Sequence, residues 1–417
     1  MAVDGSAVAA WSIAAVATAG VIARPFRLPE AIWAVTGAVL LVAFGLLPWA
    51  DAWSGILRGL DVYCFLAGMM LIAEVARREG VFHWLAALAV ALARGSPQRL
   101  FALVYAVGTV VTILLSNDAT AVVLTPAVYA ATRAAGATPL PYLFACAFIA
   151  NAASFVLPIS NPANLVVFAG RMPHLAAWLS QFGLPSVIAI AVTYLALRLM
   201  QRRALAAETI VATSSRPQLG HGGRLTLAGI GAIAVVLLCC SALDAQLGLP
   251  TLVSGVVTTA IVLALNLQSP WPVVKGVSWD VLPLVAGLFV LVEALDHTGV
   301  IAALSGLMHA DLARSGTAAP WSAGLVAALA SNLMNNLPVG LIAGSVVAAD
   351  HLPSQVSGAM LIGVDVGPNL SVTGSLATIL WLVVLRREGL DVGTWRFLRL
   401  GAVVMPPALA LAILALH

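Results

Sequence analysis

The sequence predicts an all-α polytopic membrane protein of two inverted repeats, with about ten transmembrane helices, two re-entrant hairpins and helices broken at mid-membrane. Composition, long apolar runs and an internal repeat predict it. Of 417 residues, 61% are hydrophobic and 9% charged, against roughly 25% charged in an ordinary soluble domain. Together with a mean hydropathy of +1.03, this makes the lipid bilayer, and not water, the solvent of the chain.

The internal repeat is an arrangement of polar and small residues that occurs twice, about 219 positions apart. The first copy comprises Asp61, Ala67, Gly68, Glu74, Gly80 and Asn117, and the second comprises Asp280, Ala286, Gly287, Glu293, Gly299 and Asn336. A further pair of segments aligns residues 151–165 with residues 365–379. Matching polar breaks inside two apolar halves are typical of secondary transporters that bind their solute at the repeat interface.

Ten apolar runs are candidates to cross a hydrocarbon core about 30 Å thick. They are residues 7–23, 31–50, 62–75, 142–168, 176–200, 225–243, 251–267, 281–294, 360–385 and 398–416. The third and eighth runs are short unless flanking residues extend them. Residues 83–93 and 301–310 are predicted to be amphipathic connectors at the membrane interface.

Two more apolar regions are interrupted by polar breaks, and the length of their arms in the sequence predicts that they do not cross alone. We therefore predict re-entrant hairpins at about 99–133 and 319–349. Irregular backbone at mid-membrane is tolerated only where protein or water covers it. The predicted first repeat is 1–200, with a broken helix at about 142–168. A cytoplasmic linker, 201–224, leads to the second repeat, 225–417, with its broken helix at about 354–385.

Basic residues orient these predicted helices. With the N-terminus outside, most of them fall on one side, which the positive-inside rule assigns to the cytoplasm. Arg58, Arg171 and Arg314 are isolated exceptions. The same count lets the first hairpin enter from the cytoplasm and the second from outside, so the repeats are inverted. The predicted location is the cell inner membrane, crossed several times.

Polar residues in the breaks are the candidate solute-binding residues. A helix that stops at mid-membrane leaves N–H and C=O groups free, and its dipole favours a polar solute or ion there. The tips supply Asn117, Thr120, Asn332, Asn335 and Asn336, and the broken helices supply Asn151, Ser154, Ser160, Asn161, Asn164, Ser371, Thr373, Ser375 and Thr378. The alternative is that these residues only cap helices and hold them together.

Two intramembrane carboxylates, Asp118 and Asp365, are predicted to couple transport to protons. A carboxylate at that depth costs at least ~2.5 kcal/mol, so it persists where it has a partner or a function. Burial favours the neutral acid, which can take up and release a proton. The alternative is an ionised carboxylate that caps a broken helix. Glu74 and Glu293 are instead predicted to form structural ion pairs.

Other functional classes lack their motifs. There is no phosphate-binding loop or dinucleotide fingerprint, so the energy must come from an ion gradient or from a separate ATPase. HExxH and GxSG are absent and no segment is similar to a selectivity filter, so neither an intramembrane enzyme nor a channel is favoured. Four cysteines, without CxxC spacing, are predicted to be buried hydrophobes. No cofactor, resident metal or nucleic-acid partner is expected.

Three motifs carry a family resemblance. SNDATAVVLTP (116–126), SNLMNNLP (331–338) and GVDVGPNLSVTGSLATILWLVVL (363–385) resemble the arsenite permease family, the ArsB-type branch of the ion transporter superfamily. The resemblance implies paired scaffold and transport regions. It also implies proton-coupled efflux of trivalent arsenite and antimonite, by the permease alone or with a soluble ATPase subunit.

One departure bears on mechanism, because Asn151 stands where many relatives are expected to have an acid. Asn151 cannot titrate, so any coupling role moves to Asp118 or Asp365. Near neutral pH arsenite is mostly an uncharged trihydroxy species, which Asn, Ser and Thr can bind through its hydroxyls. Thiolate capture would be too tight for turnover, so Cys146 is expected to be dispensable.

The alternative keeps the fold and changes the cargo to another small oxyacid or a carboxylate, coupled to sodium or protons. A dicarboxylate carrier should place a cation near the site. None of Arg94, Arg133, Arg171 and Arg314 is predicted to lie at mid-membrane.

Overall fold

Every regular element that the computed structural model describes is a helix, over residues 5–168, 172–211, 217–349 and 352–416. The first-half helices are α1 Gly5–Ala23, α2 Glu30–Ala43, α3 Trp49–Arg58, α4 Leu60–Arg78, α5 Val81–Ala93, α6 Pro97–Leu114, α7 Asn117–Ala119, α8 Thr125–Ala134, α9 Leu140–Ala152, α10 Pro162–Val167 and α11 Leu175–Ala206. The second-half helices are α12 His221–Ala242, α13 Gly248–Leu265, α14 Trp271–Gly276, α15 Val281–His297, α16 Val300–Ser315, α17 Ala319–Met334, α18 Asn336–Ala349, α19 Ser354–Val366, α20 Leu376–Arg387 and α21 Thr394–Leu414. Arg171 lies outside the described residues.

The predicted membrane-protein class is confirmed by helix length and composition. Within the described residues, six helices are long and apolar enough to cross a membrane, and there are up to eight if α3–α4 and α15–α16, bent by 45° and 70°, each count as one span. These bent pairs extend the two short apolar runs of the sequence. The count of ten spans plus two hairpins stays a prediction.

The apolar run 31–50 does not form one helix, contrary to the prediction. Helix α2 ends at Ala43, and α3 begins at Trp49 after Pro48. Gly45 has a φ of +66° between them, a conformation that glycine adopts without steric cost. Pro48 disfavours a helical residue before it and cannot donate to the preceding turn. The chain therefore turns inside a stretch that carries no charged residue.

Both segments predicted as hairpins are helices interrupted by a short break, and the two breaks share an unusual backbone. That these segments are re-entrant in the membrane stays a prediction. The first hairpin is α6 returning through α7, a π-helical turn at Thr120–Leu124 and α8, and the second is α17 and α18. Ser116 and Asn335, which are repeat equivalents, have φ values of +147° and +75° at the two tips. Helix α6 has 18 residues and is long enough to cross by itself, which differs from the predicted short arm.

Helices of each half pack against helices of the other half. Helix α4 packs against α13 of the second half, and α15 packs against α2 of the first. Each contact depends on a repeat-equivalent glycine. A Cβ on Gly68 would lie 2.5 Å from the carbonyl carbon of Thr251, and one on Gly287 would lie 2.7 Å from that of Ala34. Only glycine permits this approach of two backbones.

Contacts between the two halves also bring the broken helices together. The first broken span is α9 and α10, interrupted at 153–161, and the second is α19 and α20, interrupted at 367–375. The return arm of the first hairpin packs against α20, and α18 of the second hairpin packs against α10. Each hairpin thus contacts the broken span of the other half.

The segment predicted as a linker is partly helical and is anchored to the helices around it. Helix α11 continues to Ala206. The Glu208 carboxylate accepts from the Thr138 backbone N–H at 2.7 Å, and Trp84 Nε1 donates to the Pro217 carbonyl at 3.1 Å. Arg216, which falls within the predicted linker 201–224, lies outside the described residues.

Candidate functional site

The two broken spans meet through a pair of buried amides. Asn151 Nδ2 donates to Asn369 Oδ1 at 3.1 Å and to Thr378 Oγ1 at 3.2 Å. In the opposite direction, Asn161 Nδ2 donates to the Asp365 carboxylate. Asn151 and Asp365 are repeat equivalents, so each half sends one polar side chain from the end of its first arm to the second arm of the other.

The first break is closed by its own side chains. Asn164 Nδ2 donates to the Ser154 carbonyl at 2.8 Å and to the Leu157 carbonyl at 3.2 Å. Ser154 Oγ donates to the Asn151 carbonyl at 2.7 Å. Ser160 Oγ donates at 3.1 Å to a carbonyl at the end of α6, which joins this break to the first hairpin. The carbonyls of Asn151, Ser154 and Leu157 at this break therefore each have a side-chain donor.

The second break is attached more firmly to its hairpin tip. Asn332 Nδ2 donates to the Gly367 carbonyl at 2.9 Å, and its Oδ1 accepts from Ser371 Oγ at 2.7 Å. Thr373 Oγ1 donates to the Asn332 carbonyl at 2.9 Å. The Asn336 backbone N–H donates to the carbonyl of residue 374 at 2.9 Å. These bonds leave the tip little polar capacity for a solute.

Some predicted residues also serve as caps, as the alternative interpretation expected. Ser375 Oγ accepts from the Thr378 N–H at 3.1 Å at the start of α20. Asn161 Oδ1 accepts from the Ala163 N–H at 3.0 Å at the start of α10. Asn335 Oδ1 lies 3.4 Å from the backbone nitrogen of residue 337, a long contact. Capping and binding are compatible here, because an amide has both a donor and an acceptor end.

The first hairpin tip retains unused polar groups. Ser116 Oγ accepts from the Ala119 N–H at 3.3 Å, and Asn117 Oδ1 accepts from the Asp118 N–H at 2.9 Å. Thr120 Oγ1 lies 2.8 Å from the hydroxyl of Thr112. In the described part of the chain, no hydrogen bond or ion pair involves the Asp118 carboxylate. The tip thus presents an unpaired acid.

Two cavities flank these contacts, and the internal repeat relates them. The Asp118 cavity, of about 520 Å³, has among its walls Met70, Ala73, Glu74, Arg77, Asp118, Val122 and Leu380. The Glu293 cavity, of about 940 Å³, has among its walls Phe289, Val292, Glu293, Asp296, Leu341 and Val166. Asp61 lines the second cavity and Arg77 the first. These residues are about 24 Å apart along α4, so the cavities lie at opposite ends of that helix.

The predicted residues divide between the cavities and the protein between them. Asp118 lines the first cavity, whereas the other predicted residues line neither of the two. Most of those others are fully buried, with Asn332, Ser371 and Thr373 partly exposed. We call the hydrogen-bonded residues of the two breaks the polar core, and define it by its members Asn151, Ser154, Ser160, Asn161, Asn164, Asp365, Asn369, Ser375 and Thr378.

The sequence analysis missed two participants. Ser116 caps the first tip and lines the Asp118 cavity, and its register with Asn335 could have identified it. Asn369 is fully buried, and its Nδ2 donates to the Phe148 carbonyl at 3.1 Å while its Oδ1 accepts from Asn151. Its position beside Pro368 in the second break was a usable signal.

The glutamate of each cavity is ion-paired, and charge is scarce between the cavities. Glu74 accepts from Arg77 at 2.6 Å and from Arg78 at 2.7 Å, and Glu293 accepts from Arg58 at 2.5 Å. Both glutamates are ion-paired, but the partner of Glu293 is Arg58, which the sequence left as an isolated exception. No lysine or arginine among the described residues is fully buried. Those residues also contain no cluster of three or more His, Cys, Asp or Glu side chains that would hold a metal ion.

Comparison with known proteins identifies the family. The profile described as "Citrate transporter" matches residues 13–365. The chain therefore belongs to the citrate transporter family. Relatives include an arsenical pump membrane protein of Escherichia coli, 27% identical over 400 residues and 92% of both chains, and one of Yersinia enterocolitica, 28% identical over 84% of both. The predicted likeness to arsenite permeases is confirmed by these relatives.

The fold has a solved counterpart. The YdaH transporter of Alcanivorax borkumensis superposes with a TM-score of 0.57 at 16% identity, over 87% of this chain and 86% of that one. An uncharacterized transporter of Mycobacterium tuberculosis is 27% identical over 94% of both chains. The protein is thus a multi-pass membrane transporter for a small molecule, and its bacterial relatives indicate the inner membrane.

Proposed function

We propose that this transporter exports arsenite and antimonite from the cytoplasm in exchange for protons, by alternating access. The observation that carries the proposal is a polar core of amides and hydroxyls with no buried lysine or arginine in the described chain. Relatives named arsenical pump membrane protein, which match 84% and 92% of the chain, support the same cargo.

The chemistry of the cargo fits this core. Arsenite near neutral pH is an uncharged trihydroxy species whose hydroxyls both donate and accept hydrogen bonds. A neutral solute needs no cation to balance it, and burying an unpaired charge would be costly. The proposed binding groups are the amides and hydroxyls of the first tip and both breaks, with the second tip, whose polar groups are largely bonded to protein, contributing least. Asp118 and Asp365 carry the exchanged protons.

The two cavities supply the access routes. Each is formed by a scaffold helix, the return arm of one hairpin and the second arm of the other half's broken span. The polar core separates them, so a solute held there reaches either side when one route opens and the other closes. The positive-inside rule places the Asp118 cavity, with Arg77 and Arg387 in its wall, on the cytoplasmic side.

A second candidate is export or import of a carboxylate, favoured by the description of the family as citrate transporters. Citrate carries several negative charges and would need cations at its site. Arg77 is bound to Glu74, and the polar core offers only amides, hydroxyls and the acid Asp365. We therefore rank this function below arsenite export.

Everted membrane vesicles provide the test. Cells lacking their own arsenite pump are transformed with this chain or with empty vector, and vesicles are energised to generate an inside-acid proton gradient. We expect arsenite to accumulate, to be lost with a protonophore and to be indifferent to sodium. Accumulation of citrate without arsenite would contradict the proposal. Adding a soluble ATPase subunit and ATP to the same vesicles shows whether the permease also works with that partner.

A further inference from the structure

The Asp118 cavity has apolar walls and an acid whose carboxylate no described group contacts by a hydrogen bond or an ion pair. The apolar walls include Phe65 and Met69 of α4, Val281 of α15 and Leu380 of α20. The cavity volume of about 520 Å³ lies within the range of about 300–1,000 Å³ that is usual for sites of drug-sized organic molecules. The cavity is therefore large enough to hold an organic ligand beside the acid.

The arginines in the cavity wall do not neutralise Asp118. Arg77 donates from Nε and Nη2 to the two oxygens of Glu74, at 2.7 and 2.6 Å, so its guanidinium is already occupied by a bidentate pair. Arg387 is exposed at the C-terminal end of α20, next to the exposed Glu388, where water and salt screen its charge. Asp118 thus keeps its charge available to a ligand.

The acid lies at the inner end of the cavity. Tyr129 Oη donates to the Glu388 carbonyl at 3.2 Å, which places Tyr129 level with the end of α20. Asp118 precedes Tyr129 by 11 residues of continuous helical turns, about 16 Å at the helical rise per residue. Because α7 also packs against α20, Asp118 lies toward the start of α20, where Leu376 lines the same cavity. A ligand whose charged end is at Asp118 therefore has about 16 Å of wall along which to lie.

Other classes of ligand fit this cavity poorly. An anion would meet the carboxylate and would lose its water without gaining a free cation. A metal ion takes several ligands at once, whereas the inner end offers one carboxylate and the hydroxyl of Ser116, which already accepts from the Ala119 N–H. A wholly apolar molecule would remove water from the carboxylate and leave it without a partner.

We infer that the Asp118 cavity binds an amphipathic organic cation. Its single ammonium group pairs with Asp118, and its aromatic or aliphatic body lies along the apolar wall toward the opening. Met69 and Met70 line this wall, and their unbranched side chains adapt to bodies of different shape. Such a molecule satisfies both properties of the cavity, because one end supplies the missing charge and the other end covers apolar surface.

The Glu293 cavity is expected to bind this ligand more weakly. Glu293 is paired with Arg58, and the Asp61 carboxylate accepts from a backbone N–H at the start of α13 at 2.7 Å. Asp244 and Asp296, which also line this cavity, are exposed, so water and salt screen their charges. These acids are therefore weaker anchors for an organic cation than Asp118.

A cation bound in this way has a consequence for transport. It occupies the route that we propose for arsenite and covers an acid that we propose to carry a proton, so it is expected to inhibit export. Inhibition rests on the proposed function, whereas binding to the cavity does not.

Binding to the purified protein tests the inference without a transport assay. Three probes share one apolar body, and they are the cation phenylbutyltrimethylammonium, the neutral phenylbutanol and the anion phenylbutyrate. Calorimetry and thermal unfolding in detergent, at mildly alkaline pH, measure each of them. We expect the cation to bind at least about tenfold more tightly than the alcohol, and to raise Tm by about 3 °C at about 100 times its Kd. Absent binding of the cation, or equal binding of cation and alcohol, overturns the inference.

Two substitutions and a control locate the site. Asp118→Asn keeps the size of the side chain and removes its charge, so the affinity for the cation should fall to that for the alcohol. Ala73→Leu fills part of the cavity and should weaken binding of both probes at least threefold, even if Asp118→Asn fails to fold. Glu388→Gln removes the exposed acid at the opening and should bind as wild type does. Unchanged affinity for the cation in either folded variant, or a loss in Glu388→Gln as large as in Asp118→Asn, overturns the inference.

Everted vesicles add the functional measurement, because their cytoplasmic face is outward and the impermeant cation reaches the cavity. Half-inhibition of arsenite accumulation is expected near the Kd measured by calorimetry. Arsenite accumulation by a protein that does not bind the cation overturns this site alone. Binding of the cation without arsenite transport overturns the proposed function alone.

Discussion

The two hairpin tips occupy equivalent places in the repeat and differ in what their polar groups do. At the second tip, Asn332, Ser371 and Thr373 bind one another and the backbone of the second break. At the first tip, one bond from Ser160 makes the corresponding connection, and Asp118 faces a cavity without a protein partner. One repeat has thus produced a tip secured by protein and a tip available to a solute.

The comparison shows that symmetry of backbone does not require symmetry of function. Ser116 and Asn335 place both chains in positive-φ conformations at the same register, so the two tips turn alike. The next residues separate them, because Asp118 corresponds to Leu337. A carboxylate at the hairpin tip therefore lines only one of the two cavities, the Asp118 cavity.

The largest effect is expected from removing that charge. Asp118→Asn keeps the size of the side chain but cannot exchange a proton, and we expect proton-driven arsenite accumulation to fall about 100-fold, within the range found for lost proton-transfer groups. Initial rates in everted vesicles at matched protein levels measure this. The repeat-equivalent Leu337→Met should retain near wild-type rates, and an equal loss in both would erase the distinction between the tips.

The next effect concerns the secured tip. Asn332→Ala removes two donated bonds and one accepted bond, so we expect a loss of about 2 kcal/mol in the free energy of unfolding. Ser116→Ala removes a single cap and should cost about 1 kcal/mol. Thermal or denaturant unfolding in detergent compares them. A larger loss for Ser116→Ala would mean that the first tip is the better anchored.

The scaffold should behave symmetrically where the tips do not. Gly68→Ala and Gly287→Ala each push a methyl group against the backbone of the partner helix, and we expect similar losses of about 1–2 kcal/mol. Gly183→Ala, where a Cβ meets nothing within 4 Å, is the matched control. Strongly unequal losses at positions 68 and 287 would contradict the equivalence of the two scaffold contacts.

The smallest effect is expected at Cys146. This thiol is fully buried in α9 and is not in a disulfide. Because a buried structural cysteine is chemically inert and serine differs from it by one atom, we expect Cys146→Ser to keep arsenite transport within about twofold. Resistance of transformed cells to arsenite measures it. Abolished resistance with normal membrane levels would point to thiol capture of the cargo instead.

Register along the chain predicted an internal repeat and the positions at which the helices are interrupted, because polar residues inside apolar runs are visible without a structure. Side-chain roles within the breaks were harder to predict. Non-helical backbone has no regular residue spacing, so the sequence does not show which way the Asn164 and Asn369 side chains point. The contact of Asn151 with Thr378 is also hard to predict, because it joins residues 227 positions apart. The division of the run 31–50 at Pro48 was overlooked because every flanking residue was apolar.

Glycine contacts between the halves also govern how the protein is made. Helix α4 is synthesised long before α13, against which Gly68 packs, and until then only lipid can cover that groove. A ribosome that stalls before α13 is made would leave a membrane-embedded fragment in which no α13 covers the Gly68 face of α4. During biosynthesis, the early helices of this transporter must therefore remain in the bilayer without their partners until the late helices are inserted. We expect truncated chains to be substrates for membrane proteases.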